Sequence, residues 1–273
     1  RKTSQGFSRC NSGVFKNSKM IEKDKSIGIY DSGLGGLSVF KELFSKLKNE
    51  NYIYFGDTKN LPYGDKKEEE LLKIATNIFD IFERMNVKAV VMACNTTSAV
   101  VYDKIKDKYG FKVYPIIQNF AKYISSQSYK RIGVFATNST INSHAYLKYI
   151  KLYNNNISVF EHACPSWVKI VEENGFEDEA NQNIIKKDLE ELLKFEPEKI
   201  ILGCTHYPFL LDTLSKYAKR DLFIDPAKCF ADEILKDLAK NDLINEKEKG
   251  KITCYVSSNP NSFAKNSKMV LFS

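Results

Sequence analysis

Cys94 and Cys204 stand in matched surroundings 110 residues apart. Ile200, Ile201 and Leu202 lead through Gly203 to Cys204, with Thr205, His206 and Pro208 after it. Val90, Val91 and Met92 lead through Ala93 to Cys94, with Asn95 and Thr96 after it. An apolar run of this length, bounded by small residues, reads as a strand buried on both faces. Pro208 suits the first turn of a helix, where its missing N–H does no harm. Both cysteines therefore fall where a strand hands over to a helix, the usual ligand-binding end of an open α/β sheet. A free thiol titrates near about 8.5, so at neutral pH it is mostly protonated and needs a neighbour to handle its proton. Asp31, at the tip of the strand Ile27–Tyr30, is the candidate neighbour of Cys94, and His206 that of Cys204. Two such thiols facing one small substrate could take a proton from one side of a carbon and return one to the other, inverting it. Taken singly, each stretch reads equally well as a small buried cysteine beside a polar turn. The repetition favours chemistry.

The echo extends beyond the cysteines. Ser26–Ile–Gly–Ile–Tyr30 resembles Arg131–Ile–Gly–Val–Phe135 at an offset of 105 residues, so the chain reads as two related halves, each offering one thiol. Apolar runs alternate with helical spacing throughout, the pattern of an α/β fold with mostly parallel sheets. Strands are expected at Ile27–Tyr30, Tyr52–Phe55, the run before Cys94, Phe111–Ile117, Arg131–Ala136, Ser158–Ala163, the run before Cys204, Leu222–Ile224 and Ile252–Val256. Helices are expected after Gly36, over Leu71–Phe82, from Thr97 to a left-handed Gly110, and over Ile141–Tyr153, Ser166–Glu173, Glu179–Lys194, Phe209–Arg220, Ala227–Lys240 and from Pro260. The expected organisation is a first α/β domain of residues 26–118 plus 226–273, carrying Asp31 and Cys94. A second α/β domain, residues 119–225, carries Glu172, Cys204 and His206, with the site in the cleft between them. Residues 1–25, rich in Ser, Asn and Lys, read as a disordered leader or extension, with Cys10 incidental.

Composition narrows the function classes. The 273 residues are 43% hydrophobic and 27% charged, ordinary for a soluble globular protein, and no apolar run approaches the roughly 18 residues of a membrane span. The net charge of +7 comes from scattered lysines, not from a basic block interleaved with aromatics, so a nucleic-acid partner is not expected. Six dispersed cysteines without paired zinc-ligand spacing point to reduced thiols in a cytoplasmic protein with no metal site. Asp31–Ser–Gly–Leu–Gly–Gly36 is a poor phosphate loop, lacking the Lys-Ser/Thr pair. There is no nicotinamide fingerprint, and no lysine is singled out for pyridoxal phosphate. A direct two-base reaction without a cofactor fits that sequence. Cys164, Cys229 and Cys254 are expected in or near the core, and His144 and His162 in structural roles. Trp167 is expected to pack or to line the cleft mouth, and Asp57 to serve a turn near the cleft.

A resemblance covers the chain from about residue 26 onward. Ile27–Gly–Ile–Tyr–Asp–Ser–Gly–Leu–Gly–Gly36, Tyr54–Phe–Gly–Asp–Thr58, Leu61–Pro–Tyr–Gly64 and Ala93–Cys–Asn–Thr–Thr–Ser–Ala99 carry its first part. Ala163–Cys–Pro165 with Ile170–Val–Glu–Glu173, and Leu202–Gly–Cys–Thr–His–Tyr–Pro208, carry the second. In this order the set resembles the glutamate racemases of the aspartate/glutamate racemase superfamily. The resemblance implies an isomerase that interconverts L- and D-glutamate without a cofactor and supplies D-glutamate to peptidoglycan, for cell wall biogenesis and cell shape. It implies Cys94 as the base toward D-glutamate, assisted by Asp31, and Cys204 as the base toward L-glutamate, assisted by His206. Glu172 in preference to Glu173 is the histidine's partner. Substrate contacts carry over to Asp31, Ser32, Tyr63, Gly64, Asn95, Thr96, Thr205 and His206. Two local departures stand out: Ser166–Trp–Val–Lys169 replaces a more apolar stretch, and Gln118–Asn119 replaces a pair such as Pro-Gly.

Other readings stay open at this level. The chain could be an aspartate or hydantoin racemase of the same superfamily, a two-domain protein that binds a small acid without chemistry, or a redox protein joining Cys94 to Cys204. The partner expected is a small-molecule substrate, with no membrane involved; a homodimer is compatible with the sequence.

Overall fold

The computed structural model describes residues 22–247 and 250–271, so the reading of residues 1–21, Cys10 included, lies outside the described residues. Among the described residues, nine strands form two parallel sheets. The first joins β1 (Ile27–Asp31), β2 (Tyr52–Gly56), β3 (Ala89–Met92), β4 (Lys112–Pro115) and a late strand, β9 (Ile252–Val256), in the order β4-β3-β1-β2-β9. The second joins β5 (Arg131–Ala136), β6 (Ser158–Ala163), β7 (Lys199–Gly203) and β8 (Phe223–Ile224), in the order β6-β5-β7-β8. Setting β9 aside, the orders are the same with β1 to β4 replaced by β5 to β8. Their registers also correspond, Tyr30 pairing Met92 as Phe135 pairs Leu202. Cys94 and Cys204 thus leave equivalent strands.

Among the described residues, α-helices alternate with the strands: α1 (Leu37–Lys46), α2 (Glu68–Arg84), α3 (Asn95–Val100), α4 (Tyr102–Ile105), α5 (Ile116–Ser125) and α6 (Asn138–Asn142) come first. They are followed by α7 (Ala145–Tyr153), α8 (Trp167–Glu172), α9 (Glu179–Leu193), α10 (Leu211–Ser215), α11 (Pro226–Lys240) and α12 (Pro260–Leu271). Helices on both faces leave β1 and β3 wholly buried, which is why their sequences run apolar without alternation. Ile29 of β1, Phe120 of α5, Ile132 of β5, Ile201 of β7 and Phe230 of α11 belong to one continuous core, so the inner helices serve both sheets. The tail returns to the first sheet: α11 packs on α1, and β9 extends the sheet beside β2. At the opposite end from the cysteines, the buried Lys88 ammonium meets Glu50 at 2.5 Å and donates to the carbonyls of Lys23 and Leu243.

Several expectations change. The strand expected to Ile117 stops at Pro115, and Ile116 opens α5. The helix expected to reach Gly110 breaks at Val101 and ends at Ile105; no described glycine has a positive φ, so Gly110 is not a left-handed cap. The span 141–153 is divided by His144, itself left-handed with φ 51°. The span 209–220 shrinks to a 3₁₀ turn over Tyr207–Leu210 and the five-residue α10. Residues 22–24, expected to belong to the disordered extension, form a 3₁₀ turn that sends a carbonyl to Lys88 and another to Asn51. Cys254 is exposed instead of near the core, because β9 is a sheet edge. Trp167 is fully buried, with its ring 4.7 Å from Phe135 and 5.0 Å from Tyr207, and so does not line a cleft mouth.

Candidate active site

Asp31 is the last residue of β1 and is fully buried. The chain folds back over it so that Oδ2 accepts the backbone N–H groups of Gly33 (3.0 Å) and Gly36 (2.9 Å), and Oδ1 accepts the Thr205 hydroxyl (3.3 Å). Gly36 is required for that wrap: a Cβ there would stand 2.4 Å from the Cβ of Asp31. Burial raises the carboxyl above its ordinary range, against the charge of His206 and the donated hydrogen bonds.

Cys94 follows β3 with extended backbone and forms the N-cap of α3. Burial pushes its thiol up to about 12, with the Asp31 carboxylate and the Cys204 sulfur adding to the shift. At neutral pH this thiol carries its proton. The opposite half is set differently. Cys204 Sγ lies 3.8 Å from His206 Nδ1, and His206 Nε2 lies 2.6 Å from Glu172 Oε1. Burial alone would lower the imidazole, but the Cys204 sulfur and the Glu172 carboxylate outweigh it and hold His206 up at about 10. Glu172 therefore contacts the histidine, whereas the exposed Glu173 reaches Lys169 at 3.9 Å. Equivalent strands thus deliver one protonated thiol beside a carboxylate and one sulfur beside an imidazolium.

Both cysteines line one small cavity, together with Ser32, Tyr63, Gly64, Asn95, Thr96, Thr205 and His206. Its volume is about 10 Å³, room for roughly one water. Asp31 stands just behind, through Thr205. Glu172 lines an adjoining hollow of about 380 Å³, separated from the first by His206, which belongs to both walls. Three wall residues were not singled out in the sequence: Leu61, Thr137 and Val168. Thr137 bonds Thr96 across the cavity (2.9 Å), joining the turn after β5 to α3. Its signal was available, since the 105-residue offset makes it the counterpart of Ser32. Asp57 is more than a turn residue: it is buried and accepts the Tyr63 hydroxyl at 2.5 Å, while Tyr63 accepts that of Tyr30 at 3.0 Å. Tyr146 donates to Asn95 Oδ1 at 2.7 Å and fixes the amide at the start of α3.

Residues away from the cavity are equally clear. His144 is exposed and bonded to Glu161 (2.7 Å), and His162 to Asp188 (3.1 Å). Gln118 is buried in α5 against Ser98, and Asn119 donates to the carbonyl of Pro115.

Residues 35–234 match the family described as Asp/Glu/Hydantoin racemase. The chain belongs to this family. As an Asp/Glu/hydantoin racemase it is an isomerase by class. A glutamate racemase of Thermoanaerobacter sp. (strain X514) is 38% identical over 249 residues, 90% of this chain and 93% of that one. Glutamate racemase 1 of Caldanaerobacter subterraneus subsp. tengcongensis is 39% identical over 247 residues, 90% and 92% of the two chains. Among solved structures, glutamate racemase from Francisella tularensis in complex with D-glutamate superposes with a TM-score of 0.86 at 32% identity, covering 92% of this chain and 95% of that one. The aspartate racemase of Picrophilus torridus shares the fold, with a TM-score of 0.59 at 16% identity over 81% of this chain and 98% of its own.

Proposed function

We propose that this chain interconverts L- and D-glutamate without a cofactor, Cys94 and Cys204 acting as acid and base on opposite faces of the substrate Cα. The observation that carries this reading is the placement of both sulfurs on the walls of one buried cavity, each at the end of an equivalent strand. In the L-to-D direction Cys204 takes the Cα proton as a thiolate, and the Cys94 thiol delivers its own proton to the opposite face. The reverse direction exchanges the roles, as a two-base inversion requires. His206, held by Glu172, handles the proton of Cys204; Asp31 assists Cys94. Ser32, Asn95, Thr96, Thr205, Tyr63 and the backbone at Gly64 hold the carboxylates and amine. Residues 26–118 with 226–273 form one lobe and 119–225 the other. A cavity with room for roughly one water does not admit glutamate, so the loops around it must part for entry. The product D-glutamate would supply peptidoglycan synthesis in the cytoplasm.

Chiral chromatography tests the reading with L-glutamate, D-glutamate and L-aspartate and no added cofactor. Interconversion of the two glutamate enantiomers alone is expected. Turnover of aspartate instead would move the chain to a different substrate within the family, and binding of either acid without inversion would make it a binding protein.

A further inference from the structure

On the outer side of the second sheet, three side chains of metal-ligating type converge without any part in the racemase site. His162 lies near the end of β6, Cys164 just after it, and Asp188 on α9. His162 Nε2, Cys164 Sγ and a carboxylate oxygen of Asp188 all lie within 4.8 Å of one another, the one such group among the described residues. We propose that they form a binding site for a single borderline divalent transition-metal ion, of which Zn²⁺ is the type. The inference does not depend on the identity of the racemase substrate.

The donor set favours this class of ion. Thiolate, imidazole and carboxylate are zinc ligands at about 2.0–2.3 Å, whereas Mg²⁺ and Ca²⁺ take oxygen. Tetrahedral binding at those lengths brings ligand atoms to about 3.3–3.6 Å apart. His162 and Asp188 are at 3.1 Å already, so closing the set requires Cys164 to approach by about 1 Å. A thiolate and a carboxylate supply two negative charges against the ion's two positive ones, leaving the site neutral where a bare charge would be costly. Binding releases the thiol proton of Cys164 to solvent and replaces the His162–Asp188 hydrogen bond by two coordinate bonds; the proton that Nε2 gave to that bond passes through solvent to Nδ1, so the ring stays neutral. His162 and Asp188 are each 21% exposed, which leaves a path for the ion and a water as fourth ligand. Outer support is in place: Trp167 Nε1 donates to Asp188 Oδ2 at 2.8 Å, and the ring of Phe135 meets that of His162 edge-on at 5.9 Å.

Cobalt titration of the metal-stripped full chain tests the site, because Co²⁺ substitutes for Zn²⁺ and a thiolate ligand gives a near-ultraviolet charge-transfer band. One equivalent should produce that band in the native protein. Cys164→Ser should abolish it, and His162→Gln and Asp188→Asn should weaken cobalt binding at least tenfold. Zn²⁺ should raise the melting temperature of the native protein but not that of His162→Gln. A band unchanged in Cys164→Ser would assign the metal to another thiol and overturn the proposal. Should Cys164→Ser not fold, unchanged cobalt affinity in folded His162→Gln overturns it equally, as does no band at millimolar cobalt in the native chain.

Discussion

Two sulfurs of one residue type are set in opposite surroundings by their neighbours. Burial and Asp31 push Cys94 up to about 12, which suits the acid of the proposed L-to-D reaction, while Cys204 Sγ lies 3.8 Å from the ring of His206, held up at about 10. Replacing either cysteine by serine removes an acid/base group and should lower turnover roughly 100- to 10,000-fold while far-ultraviolet circular dichroism stays native; full activity in either variant would remove the two-thiol assignment. His206→Asn should lower kcat for L-to-D conversion more than for D-to-L, read as the two initial rates at saturating substrate, since racemisation holds the two kcat/KM values equal. The same histidine gives a stability signature. Its folded value lies above the ordinary one, so its contribution is full below about pH 6.5 and is lost as pH rises toward about 10. The gap in urea midpoint between native protein and His206→Asn should therefore narrow from pH 6.5 to pH 10; a constant gap would show that the imidazole is not held protonated.

The elements that carry these residues were largely legible, because strands buried on both faces announce themselves as apolar runs ending in small residues. What the sequence concealed lies where one apolar run serves two elements. Val113 to Ile117 reads as a single strand, yet Pro115 ends β4 and Ile116 begins α5, with no polar residue to mark the change. At Gly110 a glycine after a periodic run imitates a helix cap, while adjacent β-branched Val100 and Val101 end the first turn sooner. Cys94, Cys204, Asp31 and His206 were singled out by type and spacing, whereas Glu172 and the other cavity residues expected in the sequence came only through the family resemblance. Val168 was not legible, since a Val in the first turn of α8 carries no signal until the fold brings it to the cavity, and Thr137 could be found only through its 105-residue offset from Ser32. The Asp31–Gly36 loop is the element most sensitive to change. Gly36→Ala forces a Cβ against Asp31 and the Tyr54 hydroxyl, and should cost about 1–3 kcal/mol in urea unfolding together with most of the activity; a native urea midpoint would mean that the loop can relax.

At the scale of the molecule, duplication places two thiols across a gap and the tail ties the arrangement together. Lys88 and Glu50 are the knot: this buried pair joins the start of β3, the turn before β2, the carbonyl of Lys23 and, through Leu243 and Asn245, the segment after α11. Lys88→Met leaves the Glu50 carboxylate buried without its cation and should destabilise the chain by about 3–5 kcal/mol by urea unfolding. A loss below 1 kcal/mol would mean that the carboxylate finds another partner.

The claim that one carbon is worked from both faces is tested most directly in D₂O, by following deuterium at Cα during the first few per cent of conversion of L-glutamate. With Cys204 as base and Cys94 as separate acid, D-glutamate should form fully deuterated while the remaining L-glutamate stays protiated. Product that retains the original hydrogen, or substrate that gains deuterium as fast as product forms, would mean that a single group serves both faces.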